Sequence, residues 1–77
     1  MPPTHTLPVN GARIRELRRS RAWTLHDLAK RVEIGSPYLS RIERGERREP
    51  AERVVIRIAR ELGVATDEIV ISEENAA

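Results

Sequence analysis

Twenty-two residues, TLHDLAKRVEIGSPYLSRIERG from Thr24 to Gly45, constrain this chain more than any other stretch. Leu25, Leu28, Ala29 and Val32 recur at helical spacing, and Leu39 and Ile42 begin a second apolar stripe after them. Thr24 can cap the first of these helices, with Asp27 three residues on as a short-armed capping box. Ile34 and Gly35 make the turn. Ser36 or Gly35 can cap the second helix, and Pro37 is tolerated in its first turn because the N–H it lacks would have no partner there. Gly45 supplies the left-handed residue that closes it. A connection this short lets the two helices pack only at a fixed angle, whatever the rest of the chain does.

The remainder reads as helices around that pair. A helix over Gly11–Ser20 follows the cap Asn10, with Ile14 and Leu17 on one face and arginines over the rest. Trp23 packs beside it. Glu46–Glu49 form a charged loop stopped by Pro50. A fourth helix runs from about Ala51 to Leu62, with Val55, Ile58, Ala59 and Leu62 on its inner face and Gly63 at its end. Thr66, Asp67 and Glu68 open a short fifth helix carrying Ile69, Val70 and Ile71, the one place with a trace of strand-like alternation. Residues 1–10 hold three prolines and no Lys, Arg, Asp or Glu, so they read as an extended or disordered arm. Residues 72–77 read as a flexible tail. Seventy-seven residues allow one domain, here 11–71, and the expected fold is a compact all-α domain of five helices.

Composition removes several function classes. There is no Cys for a disulfide or a thiolate metal site. No apolar run approaches the ~20 residues of a membrane span, and the first residues lack the charged and apolar regions of a secretory signal. A cytoplasmic protein without membrane contact is expected. His5 lies in the arm and His26 on an exposed helix face, and no Gly-rich phosphate loop is present, so no enzyme activity, cofactor or metal is expected. Charge is uneven. Residues 10–50 carry eleven Lys/Arg against six acids, and residues 51–77 carry three against six. A basic front half suits a polyanion, although an ordinary solvated helix surface would look the same by charge alone.

The pattern from Thr24 to Gly45 is that of a helix-turn-helix, which presents donors on the outward face of its second helix to base edges. Helical bundles that bind nothing share the spacing. The residues themselves go further. Leu28-Ala29, Tyr38-Leu39-Ser40, Ile42-Glu43-Arg44-Gly45, the step from Gly45 to Pro50 and Ile58-Ala59…Leu62-Gly63-Val64 closely resemble the phage repressor and Cro-like (XRE) family. The resemblance covers roughly Gly11 to Ile71.

The resemblance implies sequence-specific binding of double-stranded DNA by a small transcriptional regulator, a repressor, with the helix at about residues 36–44 in the major groove. Ser36, Pro37, Tyr38 and Arg41 fall at the base-reading positions. Arg41 can grip guanine O6 and N7 bidentately. Pro37 offers only apolar contact, and Tyr38 could equally pack at the rim of its helix. Phosphate contacts fall to Thr24, Ser40, Arg44, Arg47 and Arg48, with local back-bonding as the alternative for Ser40 and a solvated loop for Arg47 and Arg48. Arg18 and Glu43 are implied to form a partly buried ion pair that belongs to the fold. Two positions depart from the family. Leu25 stands where a Gln often links phosphate and recognition helix. Glu33 stands where Gly is common, so either it takes a left-handed conformation at about 1 kcal/mol or the turn differs.

A homodimer on a palindrome is expected, because one such domain offers few base contacts. Ile69, Val70 and Ile71 are the candidate dimer surface, since three consecutive apolar residues cannot all face one small core. A reading from another class is a protein-interaction module, an antitoxin or an adaptor whose DNA binding is secondary. RNA binding is disfavoured, because Trp23 and Tyr38 are the only aromatic residues available for stacking.

Overall fold

A computed structural model describes residues 5–71. It holds four α-helices, α1 (Gly11–Ser20), α2 (Leu25–Val32), α3 (Ser36–Glu43) and α4 (Glu52–Leu62), followed by a 3-10 turn at Thr66–Glu68. The all-α class stands, with four helices and not five. The correction falls after Gly63. Only Thr66–Glu68 turn helically; Ile69 still caps that turn, and Val70 then leaves it in an antiparallel bridge to Val9. Among the described residues there is no strand longer than such an isolated bridge.

The helix ends follow local chemistry. The Asn10 side chain accepts from the Arg13 N–H at 3.0 Å. At α2 the Thr24 hydroxyl accepts from the Asp27 N–H at 3.1 Å, while the Asp27 carboxylate accepts from the Thr24 N–H at 2.8 Å. Gly63 closes α4 at φ 73°. Arg21 adds a cap of another kind. Its guanidinium donates to the Leu17 carbonyl at 2.8 Å and to the Leu62 carbonyl, so α1 holds the C-terminus of α4.

α2 packs on both α3 and α4, α1 packs on α3, and the 3-10 turn packs on α4. Ile14, Leu28, Leu39, Ile42, Val55, Ile58, Leu62 and Ile69 are fully buried where these elements meet. Each contributes about 1.5–3 kcal/mol by leaving water. α1 meets the end of α3 very closely: a Cβ on Gly11 would lie 2.2 Å from the Ile42 carbonyl oxygen, so only glycine fits at this start.

Residues 5–10 are not a free arm. The Leu7 N–H donates to the Pro50 carbonyl at 3.1 Å and the Val9 N–H to the Arg48 carbonyl at 2.9 Å. On the opposite edge the Asn10 N–H donates to Ile69 at 2.8 Å, and the Ile71 N–H donates to Pro8 at 2.9 Å. Val9 is buried in the core. The alternation Leu7-Pro8-Val9 thus threads an extended segment between two others. The beginning of the arm, residues 1–4, and the tail, 72–77, lie outside the described residues.

The candidate dimer surface is also corrected. Ile69 is fully buried, Val70 is half-buried against Val9, and only Ile71 is exposed. Ile56, midway along α4, is the other exposed large aliphatic side chain among the described residues.

Candidate nucleic-acid interface

α3 presents two faces. Leu39, Ile42 and Glu43 point inward and are buried, while Pro37 and Arg41 are exposed and Ser36 and Tyr38 half-buried. Gly35 caps the helix without a side-chain hydrogen bond. Among the described residues Arg41 enters no ion pair. Its carbonyl accepts from the Glu46 and Arg47 N–H groups at 2.9 and 3.0 Å, curling the following loop back onto the end of α3. Gly45 makes that reversal at φ 79°, a backbone that other residues rarely adopt.

Arg44, Arg47 and Arg48 are all exposed beside this face. Arg44 is paired to Glu46 at 3.1 Å, an exposed contact that yields readily to a stronger anion. The Arg47 guanidinium lies 5.8 Å from the centre of the Tyr38 ring, within cation–π range. Tyr38 therefore packs at the rim and steadies an arginine at once. Ser40 is half-buried and shares a small cleft with Arg15, Arg18, Leu25, Glu43 and Arg44.

Thr24 is exposed at the start of α2. Its oxygen accepts from the Asp27 N–H in the cap. The Thr24 backbone N–H, and then its hydroxyl, hold the Asp27 carboxyl below its ordinary range. The ionised carboxylate offsets the positive end of the helix, so this helix start is not an anion cradle.

Beneath the face lies an ion pair. The Arg18 Nε and Nη2 donate to the two Glu43 oxygens at 2.8 and 2.9 Å, with side chains 9 % and 4 % exposed. The third donor, Nη1, reaches the Trp23 carbonyl at 2.8 Å. The Glu43 hydrogen bonds raise the Arg18 pKa against the opposing effect of burial. α1, α3 and the turn before α2 are therefore fixed by one bidentate group. Leu25 is half-buried and lines the cleft above the pair, so this site closes with apolar cover where the resemblance implies a polar link.

Elsewhere, Arg31 stacks 4.2 Å over the Trp23 ring and Arg57 pairs with Glu33. These arginines, like Arg18 and Arg21, are engaged by the fold. Arg15, Arg19, Lys30, Arg53 and Arg60 are exposed as well and enter no ion pair among the described residues, so Arg41, Arg44, Arg47 and Arg48 are singled out by their place on α3 and the loop after it, not by charge alone.

The family model for the helix-turn-helix matches residues 14–69. The chain belongs to the XRE, or Cro/C1-type, helix-turn-helix family. Its XRE-type relatives among solved structures include the N-terminal DNA-binding domain of SinR from Bacillus subtilis, with a TM-score of 0.70 and 28% identity over 74% of this chain and 83% of that one. The clp gene regulator ClgR from Corynebacterium glutamicum gives 0.69 and 31%, over 75% of this chain and 61% of ClgR. The restriction-modification controller protein C.AhdI from Aeromonas hydrophila gives 0.70 and 28%, over 75% and 86%. SinR has also been solved in complex with DNA. No curated protein sequence matches the chain. As an XRE-type protein, the chain is a DNA-binding transcriptional regulator. No helix among the described residues is long and apolar enough to cross a membrane.

Proposed function

We propose that the chain is a repressor that binds a palindromic DNA site as a homodimer, with α3 in the major groove. Ser36, Pro37, Tyr38 and Arg41 read bases. Thr24, Ser40, Arg44, Arg47 and Arg48 hold the phosphates. The observation that carries the reading is Arg41, an exposed guanidinium in the last turn of α3, unpaired among the described residues, on the outward face of a helix whose other face is buried. Such a group can address guanine without first breaking an internal contact. Arg44, Arg47 and Arg48 follow it in the chain and are exposed, as backbone contacts need. With Leu25 unable to donate, base selectivity leans on Arg41. In a dimer the two recognition helices would enter successive major grooves ~34 Å apart.

Selection of bound DNA from a random pool tests this. A palindrome is expected to emerge, and Arg41→Ala is expected to relax one position in each half-site, at a loss of about 1–3 kcal/mol for the preferred base. No enrichment at low salt, or an unchanged preference in the variant, overturns the assignment.

A further inference from the structure

The loop from Glu46 to Glu49 carries Arg47 and Arg48 but has little structure of its own, and all four residues are exposed. At its start the Arg41 carbonyl holds the Glu46 and Arg47 N–H groups. Beyond that point its main-chain ties among the described residues run to the N-terminal segment. The Arg48 carbonyl accepts from Val9 at 2.9 Å and the Pro50 carbonyl from Leu7 at 3.1 Å, and the Glu52 N–H donates to His5 at 2.8 Å. The Thr6 hydroxyl adds a 3.4 Å contact to Glu49.

This segment is itself held firmly. Val9 is 6% exposed and belongs to the core. The opposite edge pairs with residues 69–71 through Pro8 and Asn10. It cannot slide along the loop without breaking bonds on both sides. It also carries no Lys or Arg, so it brings no fixed positive charge of its own to a polyanion.

We propose that residues 5–10 are a positioning strap for the phosphate-facing loop, with Leu7 and Val9 holding Arg47 and Arg48 at the duplex backbone. The inference rests on the DNA-binding reading above and adds to it. A free loop would lose conformational entropy on docking, and that loss would come out of the affinity. The strap makes the loop rigid beforehand. Base choice stays with α3, and the strap governs only the sequence-independent part of binding.

The test compares the full-length protein with Val9→Pro, Leu7→Pro, Arg47→Ala/Arg48→Ala and the combinations, on the selected DNA, between about 50 and 200 mM salt. Each Pro removes one N–H from the strap and leaves the extended backbone possible. Losing the two arginines is expected to make the slope of log K against log salt shallower by up to ~2, at ~0.9 per phosphate contact. Each strap variant is expected to give part or all of that change with base preference intact. Combined with the arginine variant it adds nothing, which a merely destabilising change would not reproduce. A wild-type slope in folded strap variants, or losses that multiply, overturns the strap. Should both Pro variants unfold, hydrogen exchange on the unaltered free chain decides. Protected Leu7 and Val9 amides support the strap, and amides exchanging at free-peptide rates overturn it. Absence of DNA binding by the unaltered chain would remove the parent reading as well.

Discussion

Among the described residues, two other than glycine sit in left-handed backbone, Ala22 at φ 57° and Glu33 at φ 64°. Each costs about 1 kcal/mol against glycine. Ala22→Gly removes that strain and no contact of consequence, since the side chain is an exposed methyl group. After the extra freedom of glycine in the unfolded chain, a net gain of ~0.5–1 kcal/mol is expected, or a rise in Tm of roughly 2–8 °C. Glu33→Gly also gives up the exposed pairing with Arg57, worth little, so a similar rise is expected. Thermal melts check both, and a lower Tm for Ala22→Gly would show that the turn there is not strained. The two positions differ in legibility. Glu33 stands where glycine is usual in related chains, which raised the question directly. Ala22 leaves no trace in the sequence, because its conformation is imposed by Arg21 and Trp23 being anchored on either side.

At the level of elements, α2 depends most visibly on one titratable group. Asp27 closes the capping box, and its carboxyl is held below the ordinary carboxylate range by Thr24. A depressed native pKa means the stabilisation is complete above the unfolded value of about 3.9 and disappears as pH falls through the native one. Asp27→Ala is therefore expected to melt below the unaltered protein at pH 7, with the gap closing as the pH is lowered past about 4. A gap independent of pH would place the stabilisation elsewhere. Helices α1 to α4 were legible because each carries an apolar stripe and a recognisable cap. The fifth was not. Asp67 and Glu68 looked like a helix start, but the β-branched residues that follow found a partner in Val9, far away in sequence. Ile69 thereby became core, and the candidate dimer surface shrank to Ile71.

Across the whole molecule, the Arg18–Glu43 pair is a contact whose one-sided loss the small core tolerates poorly. Glu43→Ala leaves a buried guanidinium with only the Trp23 carbonyl, at about 3–5 kcal/mol. Total stability for a domain of this length is ~4–12 kcal/mol. A fall in Tm of at least ~10 °C is expected, well before any change in base preference. Replacing both partners, as Arg18→Met with Glu43→Leu, is expected to be milder than the single variant, because no lone charge remains. A normal melt for Glu43→Ala would show the pair to be dispensable. The outward residues of α3 were legible because the helix period sorts them from Leu39 and Ile42. The strap was not: three prolines suggested an arm, and the carbonyls that Leu7 and Val9 meet come from a loop about forty residues on.

The stacking of Arg31 over Trp23 has a practical consequence. This is the only tryptophan in the chain, its carbonyl is held by Arg18, and its neighbour Thr24 faces the proposed duplex. The protein thus contains its own fluorophore at the corner where α1, α2 and DNA would meet. Unfolding frees the indole from its cationic lid. One unlabelled emission signal therefore reports melting at the edge of the proposed interface.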